Sequence, residues 1–391
     1  MLYNTKWEPK RKEIFILKPL TKIFIDLPVP SNINYYWNLG SLLRFCLIIQ
    51  LITGILLAMH YCPETIYSFD KITHITRNIS SGYMLRNTHA NRASVFSCVC
   101  TYTLVEIYTT IHEKTIQHEE IGITIYLIMI ITAFTGYVLP WGQMSFWAAT
   151  VITNLFSAIP YIGNTIVLWI WGSFRISNPT LDRFYSLHYR LPFILTTRII
   201  IHIIGLHYEN HSNPTGAQRE IDIIPFHQYF LTKDLQTVII LIILIILITI
   251  LIPYALTDPE NFIKANPLVT PTHIRPEWYF LFAYSILRSI PNKLGGILAL
   301  IRSIIILYLI LFLKQKYITT GNHRPNIKLT AWLLRITFLL LTWIGRAPAE
   351  TPYTNLRLII TAWYFISFTI LLPTHNYKEK IIIHNIYPQN N

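Results

Sequence analysis

Charge is what this chain has least of. Asp, Glu, Lys and Arg make up 13% of its 391 residues, against 52% hydrophobic. Soluble domains carry about 25% charged residues, so a mostly soluble fold is excluded. It has no Cys-x-x-Cys-His. Its four cysteines are Cys46, Cys62, Cys98 and Cys100, so covalent c-type haem attachment is excluded. Cys98 and Cys100 sit in an apolar stretch and are expected to be buried thiols. No basic stripe interleaves with stacking aromatics, so the net charge of +13 is read as loop charge facing one side of a membrane and its anionic lipids. Nucleic acid is not an expected partner. No charged–apolar–small cassette opens the chain, so no cleaved signal is expected.

What is present is long apolar runs, each near the roughly 20 residues that cross a ~30 Å hydrocarbon core. Eight spans are expected: Gly40–Ala58, Ser81–Thr110, Ile121–Pro140, Phe184–His207, Val238–Leu256, Gly295–Leu313, Leu329–Trp343 and Leu358–Leu372. The fold class is therefore an all-α membrane protein. Residues 141–177, rich in Trp and broken at Pro160, are expected as helices along the membrane surface. Residues 257–293 carry Pro259, Pro267, Pro271, Pro276 and Pro291, a density that forbids a continuous helix. Polar and histidine content is concentrated in the first four spans. That divides the chain into a cofactor-bearing part, 1–210, and a scaffold part with the proline-rich loop, 211–391.

The fourth span holds His188 and His202, fourteen residues apart. Fourteen residues come close to four whole helical turns and rise about 21 Å. Both imidazoles leave one helix face, near opposite edges of the hydrocarbon, as two haems stacked across a bilayer require. Two membrane histidines bonded to neighbouring helices are the plainer alternative, but ionisable groups at that depth are costly and usually functional. His89, after Arg86, is placed to oppose His188. Gly40 and Gly54 share the same fourteen-residue pitch, as do Gly122 and Gly136. Absent side chains at that pitch let a flat macrocycle approach the backbone, although small-residue helix packing also uses them.

Long strings then carry a resemblance. Gly136-Tyr-Val-Leu-Pro-Trp-Gly-Gln-Met-Ser145, Pro276-Glu-Trp-Tyr279, Leu287-Arg-Ser-Ile-Pro-Asn-Lys293, Asn213-Pro-Thr-Gly216 and Ile224-Pro-Phe-His227 resemble the mitochondrial cytochrome b family of the quinol–cytochrome c oxidoreductase, respiratory complex III. The resemblance implies eight helices, the first four a bundle holding two non-covalent haems b, with ubiquinol and ubiquinone as substrates. It implies a Q cycle: bifurcated quinol oxidation at one site and quinone reduction at another, coupled to proton translocation. It also implies cytochrome c1 and Rieske iron–sulfur partners, a homodimeric complex, lipids including cardiolipin, and a multi-pass place in the mitochondrial inner membrane. A ferric or ascorbate-linked b-type reductase would also place haems between histidine pairs, but lacks the Pro-Glu-Trp-Tyr loop.

By resemblance, His89 and His188 ligate the low-potential haem and His202 the high-potential one, with Arg86 and Arg183 on propionates. Glu277 is the quinol-site proton acceptor, with Tyr279, Tyr137, Phe134 and Tyr284 as pocket walls. Ala148 stands where many relatives have glycine, which predicts a narrowed entrance and tolerance to methoxyacrylate-type inhibitors. His207 and Asp234 match the quinone-reducing pair, with Lys233 and His211 nearby. One position departs from the pattern. The partner of His202 belongs fourteen residues after His89, and Thr103 stands there. Glu106, His112, Glu113, Lys114, His118 and Glu119 crowd the following text, where the family has a Gly-Arg pair and tyrosines. Taking each codon's third base with the first two of the next, Val99 through Thr110 permits Leu-Tyr-Leu-His-Val-Gly-Arg-Asn-Leu-Tyr-Tyr. Roughly residues 95–118 therefore read as out of frame; a five-coordinate haem and a replaced ligand are the competing readings.

Overall fold

The computed structural model describes residues 9–15, 17–109, 116–208, 213–215, 222–312 and 323–386. Two short helices, α1 (Lys10–Glu13) and α2 (Leu17–Phe24), precede a strand β1 (Pro28–Pro30). Helix α3 (Leu39–Ala58) runs twenty residues with no proline and no acidic residue. A short α4 (Ser68–Asn78) ends where Ile79 turns extended, and α5 (Gly82–Thr109) follows. Then come α6 (Ile116–Val138), α7 (Gln143–Asn154), α8 (Gly163–Trp171) and α9 (Asn178–Tyr208). Helix α8 stops at Gly172, whose φ of 69° is the left-handed conformation glycine adopts without penalty. Helix α9 carries Pro192 without interruption.

Strand β2 (Ile223–Pro225) pairs antiparallel with β1, Pro28 opposite Pro225. The second half contains α10 (Phe226–Leu251), α11 (Leu281–Ser289), α12 (Lys293–Ile305), α13 (Pro325–Arg346), α14 (Tyr353–Ile366) and α15 (Leu372–Ile386). Between α10 and α11 the proline-rich segment forms only two short 3-10 turns, Pro259–Phe262 and Trp278–Phe280. Asp258 caps the first by accepting from the Glu260 backbone N–H at 3.0 Å.

Six helices among the described residues are long and apolar enough to cross a membrane, against the eight expected. Those outside the six are α5 and α12. Helix α5 has the length but is too polar as written. Helix α12 changes to 3-10 geometry at Ile306. The bundle packs α3 along α5 and α6 along α9, closing a core of Cys46, Leu47, Phe96, Cys100, Tyr126, Met129 and Leu195. A second core joins α11, α13 and α14 through Ile286, Ile327, Ala331, Leu341 and Tyr364. Outward faces stay apolar: Ile239, Ile240, Ile243 and Leu247 of α10 are exposed, as lipid-facing positions should be. Cys98, expected to be buried, is exposed on the outer face of α5, whereas Cys100, two residues on, turns into the core.

Candidate active site

The four helices bring their fourteen-residue marks together at one level. The rings of His89 on α5 and His188 on α9 face each other, centroids 6.3 Å apart and nearly perpendicular at 83°. A Cβ placed on Gly54 would lie 3.1 Å from His89 Cε1, and one on Gly136 would lie 2.7 Å from His188 Nδ1. Any side chain at Gly136 would displace the imidazole.

Both imidazoles are oriented from behind. The His188 Nδ1–H donates to the Thr132 carbonyl at 2.8 Å. A carbonyl only accepts, so this nitrogen carries the proton. His89 Nδ1 lies 2.8 Å from Thr53 Oγ1, whose own hydroxyl donates to the Ile49 carbonyl at 2.7 Å. The hydroxyl proton is thereby committed, and His89 Nδ1–H is the donor. Each ring keeps an unprotonated Nε2, the atom a metal needs. The residues fit a planar, six-coordinate iron macrocycle at this level. Gln50 adds a bond from its side-chain amide to the His89 carbonyl at 3.0 Å. Thr53, Thr132 and Gln50 had no signal in the sequence, because their partners come from other helices.

A cavity of about 250 Å³ runs past these rings and is also lined by Arg86, Tyr137, Tyr61, Glu277 and Tyr279. Glu277 comes from the proline-rich segment, nearly ninety positions beyond His188. Burial pushes its carboxyl up to about 7, Asp258 adding to the effect and the Arg86 guanidinium opposing it. Burial, with Glu277 beside it, also raises the Tyr279 phenol well above its usual range. Arg86 bonds Asn87 Oδ1 at 2.9 Å and lies 5.8 Å from the centre of the Phe262 ring.

The sequence matches the descriptions "Cytochrome b/b6/petB" over residues 24–210 and "Cytochrome b(C-terminal)/b6/petD" over residues 264–365. The chain belongs to the cytochrome b family. A solved structure titled "Hyperthermophilic respiratory Complex III" superposes with a TM-score of 0.87 at 29% identity, covering 94% of this chain and 98% of that one.

Other predicted residues of this cytochrome b lie apart from the cavity. Phe134 packs edge-on to Phe184 at 5.8 Å, and the Tyr284 hydroxyl donates to the Ile274 carbonyl at 3.2 Å. Ala148 is buried in α7. The Arg183 guanidinium is turned to the Trp169 and Ile170 carbonyls at the end of α8. At the other end of the bundle, Ser41 Oγ donates to Asp234 at 2.8 Å. Lys233 Nζ donates to the Ile33 carbonyl at 2.9 Å and faces the Tyr35 ring. His202 lies by Gly122, where a Cβ would be 3.7 Å from its Cε1. The side chain of His207, and those of Glu106, His112, Glu113, Lys114, His118 and His211, lie outside the described residues.

Proposed function

We propose that this chain is the electron-transfer subunit of a mitochondrial respiratory quinol–cytochrome c oxidoreductase, a multi-pass protein of the inner membrane. One observation carries the reading: a single cavity is lined both by the opposed His89 and His188 rings and by Glu277. A proton acceptor and an electron acceptor then meet at one substrate. A haem b held by His89 and His188 supplies a one-electron acceptor when bound.

The protein's own residues do the rest. Quinol sits in the cavity with a hydroxyl against the Glu277 carboxylate, which takes the proton as the electron leaves. A carboxyl poised near 7 is matched to accepting and then releasing a proton near neutrality. Arg86 on the same wall stabilises the carboxylate before transfer. Tyr137 and Tyr279 close the walls and keep water out, so the proton leaves by Glu277. The other electron and the other hydroxyl proton of each quinol leave to a Rieske iron–sulfur partner, the electron passing on to cytochrome c1, within a homodimer seated in cardiolipin-containing lipid. Asp234, fixed by Ser41, with Lys233 and His207, binds and protonates the quinone on the opposite side. A second haem would take His202 as one ligand.

Quinol-dependent reduction of cytochrome c by the purified complex tests this. We expect b-type bands in reduced-minus-oxidised spectra and inhibition by antimycin. Activity without b-type bands, or full insensitivity to antimycin, sinks it.

A further inference from the structure

We propose that the protein carries a histidine at position 103, and that residues 97–120 as written are one base out of frame. This rests on the two-haem reading above.

The bundle repeats at a fourteen-residue pitch, and three of the four glycines at that pitch already face a ring. Gly54 faces His89, Gly136 faces His188 and Gly122 faces His202. The fourth is Gly40, where an added Cβ would meet nothing within 4 Å. Gly54 is to His89 as Gly40 is to the residue fourteen further along α5, which is Thr103. Helix α5 is continuous between them, so position 103 lies on the His89 face about 21 Å along. Thr103 does not suit a haem iron. Its hydroxyl donates to the Val99 carbonyl of its own helix at 2.8 Å, and haem iron in proteins is held by His, Cys, Met or Tyr. A bis-histidine haem does not fit the inner level as the chain is written.

The genetic code permits the missing ligand. Taking each codon's third base with the next codon's first two, starting at Phe96, permits Phe, Leu, Cys, Leu, Tyr, Leu, His and Val at positions 97 through 104. The His falls at position 103, because the Tyr102–Thr103 junction can only give His or Tyr. No stop codon is forced anywhere through 120. Both ends of the segment can fall on runs of one base if Phe96 is read from TTT, Ser97 from TCN and Glu120 from GAA. Restoring one T between Phe96 (TTT) and Ser97 (TCN) opens the shifted frame, and removing one A between Glu120 (GAA) and Ile121 (AT-) closes it. One base in and one out leaves the length unchanged, which is why Gly122, Gly136, His188 and His202 stay in register.

The test is tandem mass spectrometry of tryptic peptides from the purified complex. The shifted frame permits an arginine at position 106, so a tryptic peptide that starts at Ala93, carries histidine at 103 and ends at 106 where arginine stands is expected. A peptide from Ala93 to Lys114 containing Tyr102-Thr103-Leu104 overturns the proposal. Transcript sequencing gives a second readout. A transcript whose codons read histidine at 103, in frame with Phe96 and Ile121, supports it, and one whose codons read Ser97 through Glu120 in the present frame overturns it. Electron paramagnetic resonance of the oxidised complex should show two low-spin haems; a high-spin inner haem overturns it. The haem-to-protein ratio separates the premises: one haem per chain beside a histidine-103 peptide defeats the two-haem reading and leaves the residue assignment standing.

Discussion

At the scale of single residues, the decisive features are proton positions. Burial holds Glu277 near 7 instead of near 4.5. Quinol oxidation needs the carboxylate, so the rate should rise with pH through a limb centred near 7. Glu277→Gln should lower turnover by about 10²-fold or more and abolish that limb, with the b-type spectrum unchanged; steady-state assays across pH check this. The same raised value has a stability sign. Between 4.5 and about 7 the folded protein binds more protons than the unfolded chain, so this group's contribution falls as pH rises through that window. Glu277→Gln should flatten that part of the melting-temperature profile. Thr53 orients His89 without touching any substrate. Thr53→Val should weaken haem retention by about 10–100-fold, the usual effect of losing a ligand's supporting hydrogen bond. Haem titration into depleted protein measures it, and unchanged affinity would count against the orienting role.

At the scale of elements, the fourteen-residue pitch was legible because an α-helix has a fixed rise and turn, whatever surrounds it. His188 and His202, and each glycine pair at the same pitch, could therefore be placed on one helix face from spacing alone, whereas packing sets Gly54 against His89 and Gly136 against His188. The behaviour of the proline-rich loop was half legible. Proline density excludes a helix, but only packing delivers Glu277 and Tyr279 to the cavity and leaves Tyr284 outside its wall. The last helix shows another contact no spacing foretells. Arg324, at the start of α13 and fully buried, donates to Glu379 Oε2 and Asn376 Oδ1 of α15, each at 2.6 Å. Glu379→Ala leaves that guanidinium buried beside a lost partner and should destabilise the C-terminal half by about 3–5 kcal/mol. Thermal unfolding followed at α15 reads it, and a variant melting like the parent would show the pair to be dispensable.

At the scale of the whole molecule, the two halves differ in what they hold. The first four-helix bundle keeps its polar atoms inward around two opposed imidazoles, and the second half, among the described residues, packs aliphatic and aromatic side chains beside the buried Arg324–Glu379 ion pair. A membrane requires this division, because a charge or ring nitrogen facing lipid has no partner. Redox titration of the intact complex should resolve two b-type components, with inhibitors acting from two sides. A single component would remove the inner site from the scheme.

The sequence by itself determined the membrane class, the spans' approximate places, the outer histidine pair and the one position out of pattern. These follow from composition and helical period, which act along the chain. Tertiary structure alone decided which nitrogen of each imidazole is free, that Glu277 shares a cavity with the outer histidines, and that Gly40 faces open space where its three counterparts face rings. Those depend on atoms brought together from helices far apart in sequence, and no local pattern encodes such a distance.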